Sequence, residues 1–219
     1  MKALIVGAGA QGRVILDILR AQGRHDTIGF VDEGEQLWGK QVNGIPVTGS
    51  LEDALRQDTR HLEMIVALGN PTTRLAVARR IEEHSIPLLN AVHPSAVIMP
   101  SVTMGRGNMV GATAVINSNA RVGDNVIINT GAVVEHDSIV SDGAVVGPGA
   151  HLGGRVSLGP SAFIATGAIV LSRLSIGAGS VVGAGSVVTK NLSDRVLAVG
   201  VPARIKEHLD FDFDWKRVL

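Results

Sequence analysis

An aliphatic residue or methionine recurs at every sixth position from Val92 to Val188, seventeen times without an insertion. In the last sixteen repeats, the position two residues earlier is Ala or Ser in eleven, and the position directly after is Gly in eight. An amphipathic α-helix has a period of 3.6 residues, so it cannot produce this pattern. The repeat instead indicates short strands joined by tight turns.

We interpret each six-residue unit as one flat side of a triangular prism. The large aliphatic side chain points toward the axis, and the small residue two before it fits the tight inner corner. We expect the glycine after the aliphatic residue to provide the positive φ that the turn requires. Three units close one coil, so the sixteen units from Ile98 to Val188 predict about five coils of an all-β parallel β-helix within residues 91–200.

Residues 1–90 follow a different pattern, in which buried strands alternate with helices. The run KALIVGAG is typical of a strand that ends in a glycine turn, and residues 11–22 have the apolar spacing of a helix. A second strand ends at Asp32, and a third covers Met64–Leu68 ahead of a helix that runs through Arg80. This alternation predicts a small Rossmann-like α/β domain with a mostly parallel sheet. We interpret residues 201–219 as a C-terminal tail.

Charge and composition narrow the possible functions. Twenty basic and twenty acidic residues cancel, so the chain lacks the net positive charge typical of nucleic-acid binders. The chain has no cysteine, which excludes a disulfide, a thiolate metal site or a cysteine nucleophile, and we expect no bound metal. The apolar run at the N-terminus is too short for a signal peptide, and no stretch approaches the roughly 20 apolar residues of a membrane-spanning helix. We therefore expect a cytoplasmic protein.

The first candidate binding motif is the segment from Gly7 to Gly12, which reads G-x-G-x-x-G. It lies between a predicted strand and a predicted helix, where glycines let a phosphate approach the backbone at the helix N-terminus. Asp32, at the end of the next strand, can accept a hydrogen bond from a ribose hydroxyl. The roughly 90 residues available leave little room for a full dinucleotide fold, so a nucleotide diphosphate fits better than NAD. At a further strand end, Asn70 is expected either to cap the following helix or to contact the ligand.

The candidate catalytic group is His136, which is followed directly by Asp137. In the six-residue register, Val134 is an inward aliphatic residue and Ser138 the next inward small one, so His136 points outward at a corner. It is therefore not a core residue, and histidine titrates near neutrality, as a general base requires. The alternative is an ordinary solvated histidine with no catalytic role.

Six segments together resemble the bacterial hexapeptide-repeat sugar acetyltransferases. They are the G-x-G-x-x-G turn, F-V-D at the end of the second strand, A-L-G-N at 67–70, H-P-S-A at 93–96, N-T-G-A-V-V-E-H-D at 129–137 and A-V-G-V-P-A-R at 198–204. This group includes nucleotide-sugar N-acetyltransferases of the bacillosamine and perosamine types, and sialic acid O-acetyltransferases. The resemblance implies that the β-helix is left-handed, that acetyl-CoA is the co-substrate, and that the protein is a homotrimer with active sites between subunits.

The same resemblance implies roles for individual residues. The histidine of the E-H-D/E motif is the general base and the acid after it raises its basicity, and these roles fall on His136 and Asp137. Gly154 would offer a backbone N–H to the thioester carbonyl, and Thr166 and Ala184 would line the pantetheine groove. The nucleotide sugar would contact Gly9, Ala10, Gln11, Asp32 and Glu33.

Two positions depart from the bacillosamine-type pattern. Gln11 stands where many relatives have a histidine beside the sugar diphosphate, and Val145 stands where bacillosamine-type members have a histidine near acetyl-CoA. The expected reaction is therefore N-acetylation of a nucleotide-linked 4-amino-deoxy sugar, either GDP-linked as in GDP-perosamine or UDP-linked, for synthesis of a bacterial polysaccharide such as an O-antigen or of a glycan.

Three alternatives remain open at this point. A sialic acid O-acetyltransferase would share every motif except the nucleotide requirement. A metal-dependent hydratase on the same solenoid would need clustered histidines, whereas His136 and His151 are fifteen residues apart and not a whole coil. A non-catalytic nucleotide sensor would tolerate the loss of His136.

Overall fold

The computed structural model describes residues 2–57, 59–210, 213 and 215. The chain divides by its contacts into two compact units. The first unit comprises residues 1–94 and 106–108, and the second comprises residues 95–105 and 109–219. Within the described ranges, no helix is long and apolar enough to cross a membrane.

The first unit is built around a three-stranded sheet in the order β2-β1-β5, and both strand pairs are parallel. Its elements are β1 (Lys2–Val6), α1 (Ala10–Gln22), β2 (Asp26–Val31), a 3-10 helix (Glu35–Leu37), β3 (Gln41–Val42), β4 (Ile45–Pro46), α2 (Leu51–Leu55), β5 (Leu62–Val66), α3 (Pro71–Glu83) and β6 (Ala91–Val92). Leu4 and Val6 of the central strand share one core cluster with Ala78 and Ile81 of α3. The predicted small parallel α/β fold is confirmed.

Local sequence explains where the two long helices of this unit begin and end. In α1, Ile15 and Leu19 are buried one turn apart, and the helix ends at Gly23, whose left-handed backbone lets its N–H reach the carbonyl of Leu19. In α3, Pro71 occupies the first turn and Asn70 is the N-cap. The Asn70 side chain accepts hydrogen bonds from two backbone amides, which confirms the capping alternative for this residue.

The second unit is a β-solenoid of two-residue strands. Face 1 contains β7 (Val97–Ile98), β10 (Val115–Ile116), β13 (Val133–Val134), β16 (His151–Leu152), β19 (Ile169–Val170) and β22 (Val187–Val188). Face 2 contains β8 (Thr103–Met104), β11 (Arg121–Val122), β14 (Ile139–Val140), β17 (Ser157–Leu158) and β20 (Ser175–Ile176). Face 3 contains β9 (Met109–Val110), β12 (Ile127–Ile128), β15 (Val145–Val146), β18 (Phe163–Ile164) and β21 (Val181–Val182).

Neighbouring strands on each face are parallel and lie one coil apart in the chain, as Val115 pairs with Val133 and Val133 with His151. The predicted solenoid of repeating six-residue units is therefore confirmed. Beyond β21, β23 (Val196–Gly200) and β24 (Ala203–His208) form an antiparallel pair that extends face 3. The turns that follow the strands of faces 1, 2 and 3 are called corners 1, 2 and 3 below.

The interior of the solenoid is filled as the repeat predicts. Inward aliphatic residues such as Val134 and Leu152 are fully buried, and so are small residues two positions earlier, such as Ala132 and Ala150. Alternating large and small side chains lets the narrow interior be packed without voids. This core contains no aromatic side chain at the inward positions, which agrees with the low aromatic content of 3%.

The role that we predicted for the glycine after each inward aliphatic residue is wrong. Positive φ occurs two residues later in the turn, as at Gly149 (φ 63°) and Gly167 (φ 66°). At Gly147 an added Cβ would lie 2.7 Å from the carbonyl oxygen of Ile164, and at Gly159 it would lie 2.8 Å from the backbone nitrogen of Ala178. Glycine is therefore required there because the next coil approaches too closely for any side chain.

Candidate active site

His136 and Asp137 lie together on corner 1, in the turn between β13 and β14. The His136 Nδ1 atom is 2.8 Å from Asp137 Oδ2. The side chains are 48% and 37% exposed, respectively, so the predicted outward orientation of His136 is confirmed. Because Nδ1 is held by the carboxylate, Nε2 is the nitrogen that remains for a substrate.

Three groups surround the carboxylate of Asp137 and favour its ionised form. The His136 ring holds Oδ2, and Asn119 donates from Nδ2 to Oδ1 at 3.3 Å. Arg155 forms an ion pair with Oδ2 at 3.7 Å. The hydrogen bond from His136, followed by that from Asn119, lowers the pKa of Asp137 below its ordinary value. Asp137 is thus a carboxylate at neutral pH and can stabilise an imidazolium on His136.

Gly154 lies one coil beyond His136, directly beneath the imidazole. A Cβ at this position would lie 2.6 Å from His136 Nε2 and 2.8 Å from Cε1. The backbone of Gly154 does not have positive φ, so the space taken by the ring, and not the backbone conformation, requires glycine. The Gly154 N–H donates to no acceptor among the residues that the structure describes, which leaves it free to bind a ligand oxygen.

Polar bonds between adjacent coils hold the turn that carries His136. Asn117 donates from Nδ2 to Glu135 Oε2 at 3.0 Å, and the same oxygen accepts the backbone N–H of His136 at 3.3 Å. Beneath the turn, the buried hydroxyl of Ser138 donates to the carbonyl of Gly153 and accepts from the amide of Val156. Sequence reasoning did not identify Asn117, Asn119 or Arg155, although each lies one coil from a residue of the E-H-D motif.

Thr166 and Ala184 lie on corner 3, in the turns after β18 and β21, and not on the corner of His136. Both residues are exposed, and they occupy equivalent positions in successive coils. They therefore lie next to each other on adjacent coils. Within one chain, they lie on a different corner from the His136–Asp137 pair. Their predicted contact with pantetheine stays a prediction.

In the first unit, Asp32 connects the glycine turn with the loop after β2. Its Oδ2 accepts the N–H of Ala8 at 2.8 Å, and its Oδ1 accepts the N–H of Gly34 at 2.8 Å. Gly7 has φ of 109°, and a Cβ on Gly12 would collide with the carbonyl oxygen of Gly7. These features form a tight turn at the N-terminus of α1, where backbone amides and the helix dipole favour an anion.

The other predicted contacts of the nucleotide sugar lie around this turn. Gly9 and Ala10 are exposed, and Gln11 is partly exposed in the first turn of α1. Glu33 is exposed next to Asp32 and accepts the N–H of Leu51 at 3.3 Å through Oε1. All five predicted residues thus lie at the carboxyl ends of β1 and β2, where open α/β sheets bind ligands.

Sequence reasoning also missed Trp38 in the first unit. This residue is 39% exposed, and its Nε1 donates to the carbonyl oxygen of Asp32 at 2.7 Å. This bond places an aromatic ring beside the residue that is expected to hold the ribose. No cluster of three or more His, Cys, Asp or Glu suited to a metal ion occurs among the described residues.

Comparison with known proteins agrees with this geometry. Residues 2–81 match the family model described as the PglD N-terminal domain. UDP-N-acetylbacillosamine N-acetyltransferase from Bacillus subtilis (strain 168) is 37% identical over 110 residues, which are 49% of this chain and 50% of that protein. The aligned region thus spans about half the length of this curated relative.

Two solved structures are similar over nearly the whole chain. A variant of GDP-perosamine N-acetyltransferase from Caulobacter crescentus, in complex with CoA and GDP-perosamine, is 40% identical with a TM-score of 0.89, covering 94% of this chain and 97% of that one. The acetyltransferase domain of PglB from Neisseria gonorrhoeae, in complex with acetyl coenzyme A, is 31% identical with a TM-score of 0.88, covering 93% and 98%.

These likenesses and the site define the class of protein as an acetyltransferase that uses acetyl-CoA, as predicted. Within that class, the chain belongs to the PglD-type nucleotide-sugar N-acetyltransferases. The family predicted from the sequence is therefore confirmed.

Proposed function

We propose that this chain transfers the acetyl group of acetyl-CoA to the amine of a nucleotide-linked 4-amino-deoxy sugar, in the synthesis of a bacterial polysaccharide or glycan. The observation that carries the proposal is the His136–Asp137 pair, held at 2.8 Å above a glycine that leaves room for the ring. The nucleotide of the substrate is GDP or UDP. One relative was crystallised with GDP-perosamine, and the other is named for UDP-N-acetylbacillosamine.

In the proposed reaction, the sugar amine attacks the thioester carbonyl carbon while His136 Nε2 accepts the amine proton. Asp137 stabilises the imidazolium that forms, and the Gly154 N–H donates to the oxyanion. The C–S bond then breaks as the carbonyl re-forms, and the imidazolium returns its proton to the CoA thiolate. Direct transfer needs no acyl-enzyme, and the chain has no cysteine to form one.

Thr166 and Ala184 would support pantetheine from corner 3 of a neighbouring chain, because corners 1 and 3 are separated by face 1 within a single chain. We therefore propose a homotrimer with each active site between two subunits. Face 1 supports this assembly, because its outward residues are mostly aliphatic and Val97 and Ile169 remain 48% and 41% exposed. We place the reaction in the cytoplasm, where acetyl-CoA and nucleotide sugars are formed.

Thiol release tests the proposed reaction directly. The protein is mixed with acetyl-CoA and with UDP- or GDP-linked 4-amino sugars, and free CoA thiol is followed with a thiol reagent. The chain contributes no background because it has no cysteine. We expect thiol release only when both substrates are present, with inhibition by the free nucleoside diphosphate. Release with free sialic acid and no inhibition by either nucleotide would instead establish the O-acetyltransferase alternative.

We expect Asp32→Ala to weaken nucleotide-sugar binding by about tenfold or more, because a charge-assisted hydrogen bond contributes roughly 1.5–3 kcal/mol. The change removes the acceptor for a ribose hydroxyl and also releases the amides of Ala8 and Gly34. Acetyl-CoA binding should stay within about twofold of the parent, since that ligand is assigned to the solenoid. Calorimetric titration with each ligand provides the measurement.

Asp26→Ala is the matched control, because Asp26 is exposed at the opposite end of the same strand. The fluorescence of Trp38 gives a second signal in a Trp215→Phe background, where Trp38 is the only tryptophan. After Asp32→Ala, nucleotide should change this signal only at about tenfold higher concentration than in the control protein. Equal losses of both ligands would contradict the assignment of the two ligands to two separate sites.

A further inference from the structure

Corner 1 carries a column of side chains at a backbone position that is glycine in most turns of corners 2 and 3, where the exceptions are Thr113, Asn125 and Ser161. The residues are one coil apart, and their φ values lie between 58° and 66°: they are Asn119, Asp137, Arg155 and Arg173. The same turn position on corner 3 is glycine in four successive coils, at Gly131, Gly149, Gly167 and Gly185. Positive φ strains any residue with a Cβ, so corner 1 keeps these side chains at a cost in free energy. Strain of this kind often accompanies a functional role, and on corner 1 the contacts of the side chains define that role.

The contacts within this column converge on one carboxylate. Asn119 reaches Asp137 Oδ1 from the preceding coil, at 3.3 Å. Arg155 reaches Oδ2 from the following coil, at 3.7 Å, while His136 holds the same oxygen at 2.8 Å. The carboxylate is therefore held from both sides along the solenoid axis, and neither oxygen is left without a partner.

The charged and polar groups around His136 come from four successive turns. Its own turn contributes Glu135 and Asp137, and Glu135 is engaged by Asn117 and by the backbone amide of His136. The preceding turn contributes only the neutral Asn117 and Asn119. The following turn contributes Arg155, and the one after it contributes Arg173 at the equivalent position of the column. Among the residues that the structure describes, Arg155 is the cation that pairs with the carboxylate of Asp137.

We propose that Asn119 and Arg155 are positioning residues that clamp the Asp137 carboxylate and thereby orient the His136 ring over Gly154. The inference rests on the acetyl transfer proposed above, with His136 as the base. A carboxylate that could rotate would let the imidazole swing away from the point where the amine arrives. A fixed Asp137 carboxylate therefore fixes the position of His136 Nε2. Proton transfer depends strongly on the distance and angle between this nitrogen and the amine.

The two clamp residues contribute in different ways. Asn119 is neutral, so its bond restricts the rotation of the carboxylate without altering the local charge. Arg155 is a cation that pairs with Oδ2, so it holds the carboxylate and also favours its ionised form. Loss of either residue should therefore lower turnover, and loss of Arg155 should also remove a charge that keeps Asp137 ionised.

Substitution by glycine tests the clamp cleanly, because glycine adopts the observed backbone without strain. We expect Asn119→Gly to lower kcat on the order of tenfold, with KM for both substrates within about twofold and no shift of the pH profile. Ser161→Gly is the matched control, since Ser161 has φ of 56° in the same turn position on corner 2. Equal kcat values in these two variants would overturn the role of Asn119.

For Arg155→Gly we expect kcat to fall by several-fold, with KM for both substrates within about twofold. The loss follows because the carboxylate is then held by a neighbouring coil from one side only, which lets the His136 ring move. Arg155→Lys keeps a cation that can pair with the carboxylate and should retain most of the parental kcat. An unchanged kcat in Arg155→Gly, with only the melting temperature changed, would show that Arg155 has a purely structural role.

A readout that does not require turnover separates this inference from the proposed function. Carbon-detected NMR titration of Asp137 should show a higher pKa in both Asn119→Gly and Arg155→Gly than in the parent or Ser161→Gly, because each residue stabilises the ionised form. Unchanged titration of Asp137 in both variants would overturn the clamp. A raised pKa in a protein that acetylates no amino sugar would keep the clamp and reject the proposed reaction.

Discussion

We expect His136→Ala to lower kcat by about 10²–10⁴, the usual range for loss of a general base, while both substrates still bind. The amine must lose a proton as it is acylated, and Nε2 of His136 is the free basic nitrogen at corner 1, since Nδ1 is held by Asp137. Stopped-flow measurement of CoA release under saturating substrates gives kcat, and titration gives the two binding constants.

Because the ring of His136 is 48% exposed, its removal leaves the core intact and the melting temperature should stay close to that of the parent. Asp137→Ala should cost less than His136→Ala, since it changes only the orientation and charge support of the imidazole. Near-parental turnover of the histidine variant between about pH 6 and 8 would mean that another group or bulk water is the base.

The second large effect concerns Gly154→Ala, which we expect to lower kcat by about 10² or more although only one methyl group is added. The new Cβ would occupy a point 2.6 Å from Nε2, so the imidazole must rotate away from the position that it now holds. The backbone conformation at Gly154 suits any residue, and hence the fold should tolerate the change. Circular dichroism and steady-state kinetics measure the two outcomes.

Two controls isolate the cause of this loss. Gly167 has positive φ, but an added Cβ there would have no atom within 4 Å. We therefore expect Gly167→Ala to lower the free energy of unfolding by roughly 1 kcal/mol and to leave kcat almost unchanged. The double variant His136→Ala/Gly154→Ala should be no slower than His136→Ala alone if Gly154 acts by making room for the ring. Since alanine keeps the backbone N–H, a further large loss in the double variant would show that the added methyl group obstructs the substrates themselves and does not act through the His136 ring.

Much of the solenoid could be predicted from the sequence because its period is local and regular. A large residue every six positions, with a small one two before it, specifies which side chains face inward, and Val134, Leu152 and Ala132 are buried accordingly. The outward position of His136 follows from the same count. The glycine turn, Asp32 and the cap at Asn70 are also local signals, each with a known backbone geometry.

Other local features were missed although their signals are present. The β3–β4 hairpin turns at Asn43-Gly44, both with positive φ, which is a common hairpin sequence. Helix α2 begins with a capping box between Ser50 and Asp53. Both elements are short, and short elements produce too few repeats of a hydrophobic pattern to be distinguished from a loop.

The sequence by itself determined the inward and outward positions of the solenoid, the alternation of strands and helices before it, and the residues of the E-H-D motif. Only the tertiary structure decided which residues of adjacent coils contact each other. It placed Gly154 beneath the ring of His136, brought Asn119 and Arg155 to the carboxylate of Asp137, and separated Thr166 and Ala184 onto another corner. It also showed that the glycines after the inward residues are required by close packing between coils, and not by the conformation of the turn. The physical reason is that period and propensity are properties of neighbours along the chain, whereas these contacts join residues from different coils whose distance is set only when the coils stack.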